Sequence, residues 1–395
     1  MEPDAALLAA IHAAPDDDGP RLVYADVLVG RGDPRGELIQ LQCALASLDA
    51  DDDRRGRMQH RERALLAKHA KPWTAELADI DDDWTFEFRR GFVEGVTGTA
   101  RSLAARAAQL VAAAPLVSCV EIFVYDRAEA LNAFCASPLF GRLERLVVRS
   151  GKARIDLHGL CVANVRPRLR SLHLEEVAIG RNDVAAITEA PALAELRELS
   201  ITMARLNQAA LAPLAQLQAT LDRLELVTMH SPALLVAALT TAPGLRALRA
   251  LAIANNDIGD DGLAAIVAAG RLRRVEELDV RSNQLSAKAL ASLLAAGTLG
   301  PVRKLWLASN EVTDAFAKKL AAWPGASRLA KLDLGSNKLT DAGVLALAAS
   351  SKLANLRSLV LSGVKLKKRT EAALLASPHL ANSRLYVDSR FLARA

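Results

Sequence analysis

The sequence predicts an α/β solenoid, in which each coil contributes one strand and one helix, with a small α-helical domain ahead of it. An apolar pattern recurs every 27 residues in the second half of the chain. Ala- and Leu-rich stretches with helical spacing lie between the copies. The composition is 51% hydrophobic but only 4% aromatic, which suits a long Ala/Leu core better than an all-β sandwich.

The repeated pattern has the form L-x-x-L-x-L-x-x-N-x-(L/I/V). Four consecutive copies with identical spacing centre on Leu251, Leu278, Leu305 and Leu332. Further copies, spaced by 24 to 27 residues, centre on Val96, Val120, Leu146, Leu172, Leu199, Leu224, Leu359 and Leu385. The sequence therefore predicts about twelve coils, closed by a strand at 385–387.

The L-x-L core alternates like a strand with one buried face, and the following stretch is typical of a helix, as at Leu263, Ile266 and Val267. Neighbouring strands lie about 4.8 Å apart, whereas packed helices need about 8 to 10 Å. Stacked coils must therefore bend into a horseshoe with a parallel concave sheet and convex helices. The repeat resembles the leucine-rich repeat, in its longer ribonuclease-inhibitor-like class.

The ninth position of the pattern holds Asn256, Asn283, Asn310 and Asn337. The chain turns out of the strand there, and a buried amide can satisfy backbone groups of neighbouring coils. We interpret these residues as a structural asparagine ladder. The corresponding positions in the other coils are Tyr125, Gly151, Val177, Ala204, Met229 and Val364.

Residues 1–83 form the predicted N-terminal domain, and residues 84–395 the solenoid. Residues 15–26 read PDDDGPRLVYAD and residues 31–42 read RGDPRGELIQLQ. These motifs resemble the repeat-companion domain of myxobacterial and planctomycete protein families, although Val27 stands where family members commonly have Trp. The resemblance implies an architecture rather than a chemistry. We expect this helical domain to cap the open end of the repeat core.

Helix signals divide the N-terminal domain further. Helices are predicted over 5–13, 21–29, 37–48 and 58–69, the last one ending before Pro72, with a loop over 49–57. Asp18 to Pro20 is interpreted as a helix start, and Arg21 is predicted to pair with Asp26. Residues 84–93 are predicted to form a strand and turn into the first coil.

Charge is unevenly distributed along the chain. Residues 1–90 carry 12 basic and 19 acidic residues, a net charge of −7, whereas the remainder carries 38 and 26, a net charge of +12. Most basic residues alternate with acidic ones, which favours a solvated surface over nucleic-acid binding. The acidic start and the absence of a long apolar run predict a cytoplasmic protein without a membrane span. The cysteines Cys43, Cys119, Cys135 and Cys161 are predicted to be buried thiols.

No nucleotide-binding, serine-hydrolase or metalloprotease motif occurs in the sequence. The aspartates at 16, 17, 18, 26 and 33 do not follow a calcium-loop spacing, and His158 with Cys161 lacks the second ligand pair of a zinc site. We therefore predict a protein that is not an enzyme and has no metal site and no cofactor.

The residue after each central Leu should face solvent on the concave sheet, and there Trp306 stands out. It is flanked one coil away by Asp279 and Asp333, with Lys304, Arg281 and Lys331 nearby. Further partner-binding candidates are Glu225, His173 and Arg149. A tryptophan ringed by charges is a typical interface anchor. The alternative is a tryptophan shielded by the cap or packed on lysine stems.

The leading functional hypothesis is a non-enzymatic scaffold that binds a protein partner on the concave face. One alternative is a regulator of a small GTPase, implied by resemblance to the Ran GTPase-activating proteins, which share this repeat class. A second alternative is nucleic-acid binding by the basic solenoid. The sequence itself identifies neither the partner nor the oligomeric state.

Overall fold

The protein is analysed as a computed structural model. It describes residues 3–48, 52, 54–125, 129–151, 153–162, 168–206, 210–295, 297–388 and 390–392. The chain divides into two compact units, one of residues 1–151 with 162–169 and one of residues 152–161 with 170–395. The first unit therefore extends well beyond residue 84, where the sequence predicts that the repeats begin. The start of the repeats at residue 84 stays a prediction.

The first unit begins with helices and continues with strand–helix coils. Its helices are α1 (Pro3–Ala13), α2 (Asp18–Gly30), α3 (Pro34–Ser47), α4 (Arg54–Trp73), α5 (Ala75–Ala78), α6 (Ala100–Ala105), α7 (Ala107–Ala113) and α8 (Glu129–Cys135). Its strands are β1 (Thr85–Arg89), β2 (Phe92–Thr99), β3 (Cys119–Phe123) and β4 (Arg145–Arg149). Strand β1 pairs antiparallel with β2, whereas β2, β3 and β4 are parallel.

Side-chain caps explain where the N-terminal helices begin. Asp17 accepts from the N–H of Gly19 at the start of α2, and Asp33 does the same for Arg35 at the start of α3. The predicted helix start at 18–20 is thereby confirmed.

The predicted end of the fourth helix before Pro72 is wrong, because α4 includes Pro72 and Trp73. A proline in the last turn costs little, and the Trp73 ring packs on His69 and Phe88, with centroids 5.3 Å and 5.8 Å away. The predicted loop also ends earlier than expected. Helix α4 starts at Arg54, whose N–H bonds the Asp52 carboxylate at 2.9 Å.

The predicted ion pair between Arg21 and Asp26 is wrong. Asp26 accepts from the amide of Gln40. Arg21 is fully buried, lies 2.7 Å from the carboxylate of Glu94 on β2, and donates to the Pro15 carbonyl at 2.8 Å. Glu94 lies 73 residues from Arg21 in the sequence, so no local pattern indicates this pair.

The second unit continues the alternation of strands and helices. Its strands are β5 (Ser171–Glu175), β6 (Ala178–Ile179), β7 (Glu198–Thr202), β8 (Arg205–Leu206), β9 (Arg223–Val227), β10 (Ala250–Ala252), β11 (Glu277–Asp279), β12 (Lys304–Trp306), β13 (Lys331–Asp333), β14 (Ser358–Leu361), β15 (Arg384–Val387) and β16 (Arg390–Leu392). Its helices are α9 (His158–Val162), α10 (Arg181–Glu189), α11 (Pro232–Thr241), α12 (Gly259–Ala268), α13 (Ala287–Leu293), α14 (Asp314–Ala322), α15 (Asp341–Ala348) and α16 (Lys368–Ala376). The residue at the end of α9, Val162, is grouped with the first unit.

The predicted strand register of the second unit is confirmed. The central leucines from Leu172 on β5 to Leu385 on β15 are direct partners of one another across consecutive parallel strands. Each of them is almost fully buried. The sheet ends in β16, which pairs antiparallel with β15 and was not predicted.

The four ladder asparagines link consecutive coils by the same bonds. Each Oδ1 accepts the backbone N–H of the residue at the equivalent position one coil earlier, at 2.7–3.2 Å. Each Nδ2 donates to the carbonyl of a core residue in that earlier coil, at 2.6–3.0 Å. Asn256 and Asn283 are fully buried, whereas Asn337 is half-buried.

Two coils without the asparagine satisfy their backbone differently. After Val177 and Ala204 the chain stays extended, and β6 pairs in parallel with β8. The Val177 carbonyl accepts the N–H of Arg205 at 2.8 Å. Backbone pairing thus replaces the side-chain amide where the ladder position is apolar.

Candidate functional site

The open face of the sheet in the second unit is the face opposite its leucine core. Because strand side chains alternate, residues on both sides of each central Leu lie on this face. The first column, before the central Leu, is Ser171, Glu198, Arg223, Ala250, Glu277, Lys304, Lys331, Ser358 and Arg384. The second column, after it, is His173, Ser200, Glu225, Ala252, Asp279, Trp306, Asp333, Val360 and Tyr386.

The part of the open face nearest β5 bonds to itself. A ring nitrogen of His173 lies 3.0 Å from the Ser171 hydroxyl, which donates to Glu198 at 3.2 Å. Glu225 accepts from the Ser200 hydroxyl at 3.2 Å and lies 3.4 Å from the Arg223 guanidinium. The predicted candidates His173 and Glu225 are therefore already engaged within the sheet.

Glu277 connects three strands of this network. It accepts from Arg223 at 2.8 Å and from Lys304 at 2.6 Å. The bond from Arg223 passes over β10, where the small side chain of Ala250 leaves room. Burial alone would raise the pKa of Glu277, but the two cationic donors outweigh it and hold the pKa below its usual range.

We expect Glu277→Gln to lower the free energy of unfolding at pH 7 by about 1 kcal/mol, since the two ion pairs are partly exposed. The lowered pKa means that this contribution is present above the pKa of an unfolded glutamate and is lost as the pH falls through the folded value. Melting temperatures of both proteins between pH 7 and pH 3 should therefore converge in acid. A difference that stays constant over this range would contradict the assignment.

Trp306 lies between Asp279 and Asp333 on neighbouring strands, as the sequence predicted, but its environment differs from the prediction. Its side chain is half-buried rather than fully exposed. Asp279 is buried, and its carboxylate accepts from the Arg281 guanidinium at 2.6–3.1 Å. Arg281 lies two residues further along the chain and folds back onto this carboxylate.

Asp333 differs from Asp279 in its contacts. Its carboxylate accepts the N–H of Gly335 at 3.0 Å. Among the described residues, no basic side chain forms an ion pair with it. Burial raises the pKa of Asp333, the field of Arg281 lowers it, and nearby Asp279 raises it further.

Of the remaining predicted candidates, Lys331 lies on the same face as Trp306, whereas Arg149 lies in the first unit. Lys331 is half-buried beside Lys304 and Ser358 in the first column. Arg149 belongs to the first unit, where it pairs with Glu121 at 2.9 Å.

The second column continues beyond Trp306 with residues that the sequence analysis did not select. Val360 and Tyr386 follow Asp333 strand by strand and are half-buried. The Tyr386 ring packs on Phe391, which is 57% exposed, with centroids 5.8 Å apart. We call Trp306, Asp333, Val360 and Tyr386 the recognition column.

The first unit contains a cleft of about 820 Å³ between its helices and its first strands. Its charged lining is balanced, with five arginines and five carboxylates: Arg55, Arg89, Arg90, Arg142, Arg168, Asp16, Glu62, Glu87, Glu94 and Glu144. Such a lining selects neither anions nor cations.

The first unit also contains three buried thiols and a cluster of three aspartates. Cys43, Cys119 and Cys135 are buried and form no disulfide with any described residue. Burial raises the pKa of Cys43 to about 11 and that of Cys135 to about 12. The side chain of Cys161 lies outside the described residues. The carboxylates of Asp81, Asp82 and Asp83 lie close together, but Asp81 already contacts Ser102 and Arg106.

One family model matches two short parts of the chain. The leucine-rich repeat model matches residues 245–267 and 329–348, which contain β10 with most of α12, and β13 with α15. This match supports a leucine-rich-repeat protein. It does not extend to the N-terminal helices, whose resemblance to the companion domain stays a prediction. None of the curated proteins matches the sequence.

Solved structures that align with this chain include the following three, all at low identity. The yeast Rad7 and Elc1 complex contains a chain with 17% identity and a TM-score of 0.47, with 74% of this chain and 76% of that chain covered. An internalin (inlF) from Listeria monocytogenes has 17% identity and a TM-score of 0.40, with 74% and 89% covered. A Bacteroides fragilis protein has 14% identity and a TM-score of 0.36, with 65% and 83% covered. Likeness at this level does not bear on function. No helix within the described parts of the chain has the length and apolar character needed to cross a membrane.

Proposed function

We propose that this protein is a non-enzymatic interaction scaffold that binds a protein partner through the recognition column. The observation that carries the proposal is a contrast within one face. From β5 to β11 the polar side chains of the open face bond one another. From β12 to β15 the column presents two half-buried aromatic rings around Asp333, an acid that forms no ion pair with any described residue.

This arrangement has the composition of a protein-binding surface. Tryptophan and tyrosine contribute most to interface affinity when their partly exposed rings become fully buried. Trp306 and Tyr386 lie three strands apart, about 14 Å at the usual strand spacing. That span is comparable to the diameter of one helix of a partner, about 10 to 12 Å. Leucine-rich repeats generally act as protein-interaction scaffolds.

The pairing of charges on this face argues against nucleic-acid binding as an alternative function. The cations Arg223, Lys304 and Arg281 on this face are each matched by a carboxylate at 2.6–2.8 Å. Phosphate binding would have to displace those carboxylates. The horseshoe curvature, the count of about twelve coils and the capping role of the N-terminal helices stay predictions that this proposal does not need.

The test is a quantitative pull-down from an extract of the native organism. We expect Trp306→Ala and Tyr386→Ala each to weaken capture of the same partner about tenfold or more, since each removes an aromatic anchor. Trp323→Ala is the matched control, because Trp323 is also half-buried but follows α14 away from the open face. Equal melting temperatures of the variants should accompany the comparison. A partner retained by both column variants would contradict the proposal.

A further inference from the structure

We propose that the partner contributes an arginine side chain, which stacks on the indole of Trp306 and pairs with the carboxylate of Asp333. This inference rests on the proposed function and specifies the chemistry of its central contact. It depends on three properties of the surface: the order of the side chains, their charge balance and the shape of the cation that fits them.

The order of the side chains places an aromatic ring between two acids. Asp279, Trp306 and Asp333 are direct partners on three consecutive parallel strands. At the usual strand spacing, the strands that carry the two acids each lie about 4.8 Å from the strand that carries the indole. A group resting on the ring is therefore within reach of both acids.

Of the two acids, only Asp279 forms an ion pair among the described residues. Asp279 is occupied by Arg281, which reaches both of its oxygens. Asp333 accepts only a backbone N–H in bonds among the described residues, although it is half-buried. A half-buried carboxylate gains free energy from a cation that arrives with the partner. The pKa of Asp333 is raised, first by burial, and the opposing field of Arg281 does not offset this.

The shape of the site favours arginine over lysine. A guanidinium is planar, so one face can lie on the indole while its edge donates two bonds to a carboxylate. Lysine offers a compact charge without this second contact. The neighbouring strand already shows the same carboxylate geometry, because Arg281 donates to Asp279 through both Nε and Nη2. An uncharged apolar side chain would instead bury Asp333 without compensation.

The experiment observes Trp306 directly. The full-length protein is labelled with 5-fluorotryptophan, and the fluorine signal of Trp306 is assigned among the four tryptophans by its loss in Trp306→Phe. The probes are the blocked peptides Gly-Arg-Gly and Gly-citrulline-Gly, which differ in charge but are nearly equal in shape. We expect a saturable shift of the Trp306 signal with the arginine peptide and a response at least about fivefold weaker with the citrulline peptide.

Two variants complete the test. Asp333→Asn should remove the response to the arginine peptide, whereas Asp261→Asn, which alters an exposed acid on α12, should leave it unchanged. The proposal is overturned if the Trp306 signal does not move, if citrulline is as effective as arginine, or if Asp333→Asn responds like the wild type. None of these outcomes decides the proposed function, because the pull-down with Trp306→Ala measures partner capture independently of the cation.

Discussion

Asn283→Ala is expected to lower the free energy of unfolding by about 3 to 5 kcal/mol, because it leaves several buried backbone groups without partners. The Asn283 amide donates to the carbonyls of Ile253 and Arg281 at 2.9 Å and 3.0 Å. Its oxygen accepts the N–H of Asn256 at 3.2 Å. Each buried group left without a partner costs about 1 to 3 kcal/mol. The space that the amide leaves holds about one water, which cannot replace all of these bonds.

The matched control is Asn337→Ala in the last ladder position. Its amide makes equivalent bonds, to the N–H groups of Asn310 and Val312 and to the carbonyl of Leu307. Asn337 is half-buried, so water can replace these bonds, and we expect a loss of about 1 to 2 kcal/mol. Urea unfolding followed by circular dichroism measures both values. Equal losses would contradict the view that burial sets the importance of the ladder.

The arrangement of the strands could be predicted because it depends on a local pattern. A central leucine flanked by solvent-facing residues fixes both the position and the face of each strand, since a shift by one residue would expose the core. This reasoning located Leu172 and Leu385 as reliably as the four regular copies. It could not locate β16, whose three residues carry no repeat pattern and are held by pairing with β15.

The turn out of each strand contains a feature that the pattern did not reveal. The residue before the ladder position has a positive φ in coil after coil, including Met203, Thr228, Asn255, Ser282 and Ser309, at 52–62°. Such a conformation is unfavourable for residues other than glycine. After Asn255, Ser282 and Ser309 the ladder asparagine donates to a carbonyl of the same turn and helps to hold it, whereas Met203 and Thr228 precede Ala204 and Met229. The only indication in the sequence is the frequency of Ser and Asn at this position.

The sequence predicted which residues neighbour one another in the candidate site, but not which of their side chains form ion pairs. The neighbours of Trp306 followed from strand register alone. Strand register did not show which of the two acids would be neutralised. That depends on Arg281, which folds back onto Asp279 and not onto Asp333. Likewise, the bond from Arg223 to Glu277 needs the small Ala250 between them, a condition visible only when three strands are aligned.

The first unit depends most on an ion pair that connects distant parts of the chain. Arg21→Met is expected to lower the free energy of unfolding by about 3 to 5 kcal/mol, the usual cost of removing one partner from a buried pair. Methionine keeps the apolar stem but leaves Glu94, which is 9% exposed, without the guanidinium 2.7 Å away. It also removes the donor to the Pro15 carbonyl and the cation over the Phe92 ring.

Two further variants distinguish two contributions to this loss of stability: the uncompensated charge of Glu94 and the lost packing of Arg21. Arg61→Met removes an arginine from an exposed pair with Glu37 in the same unit and should cost less than about 1 kcal/mol. Glu94→Gln in the Arg21→Met background should recover part of the loss, because an amide needs no counter-charge.

The pH dependence of Arg21→Met gives an independent check. Burial raises the pKa of Glu94 against the opposing field of Arg21, and without Arg21 this pKa should rise further. A folded-state pKa above the unfolded value means that the folded protein binds this proton more readily. The stability gap between Arg21→Met and the wild type should therefore narrow as the pH falls from 7 to 5, in urea unfolding at each pH. A gap that stays constant over this range would show that the cost arises from packing and not from the uncompensated carboxylate.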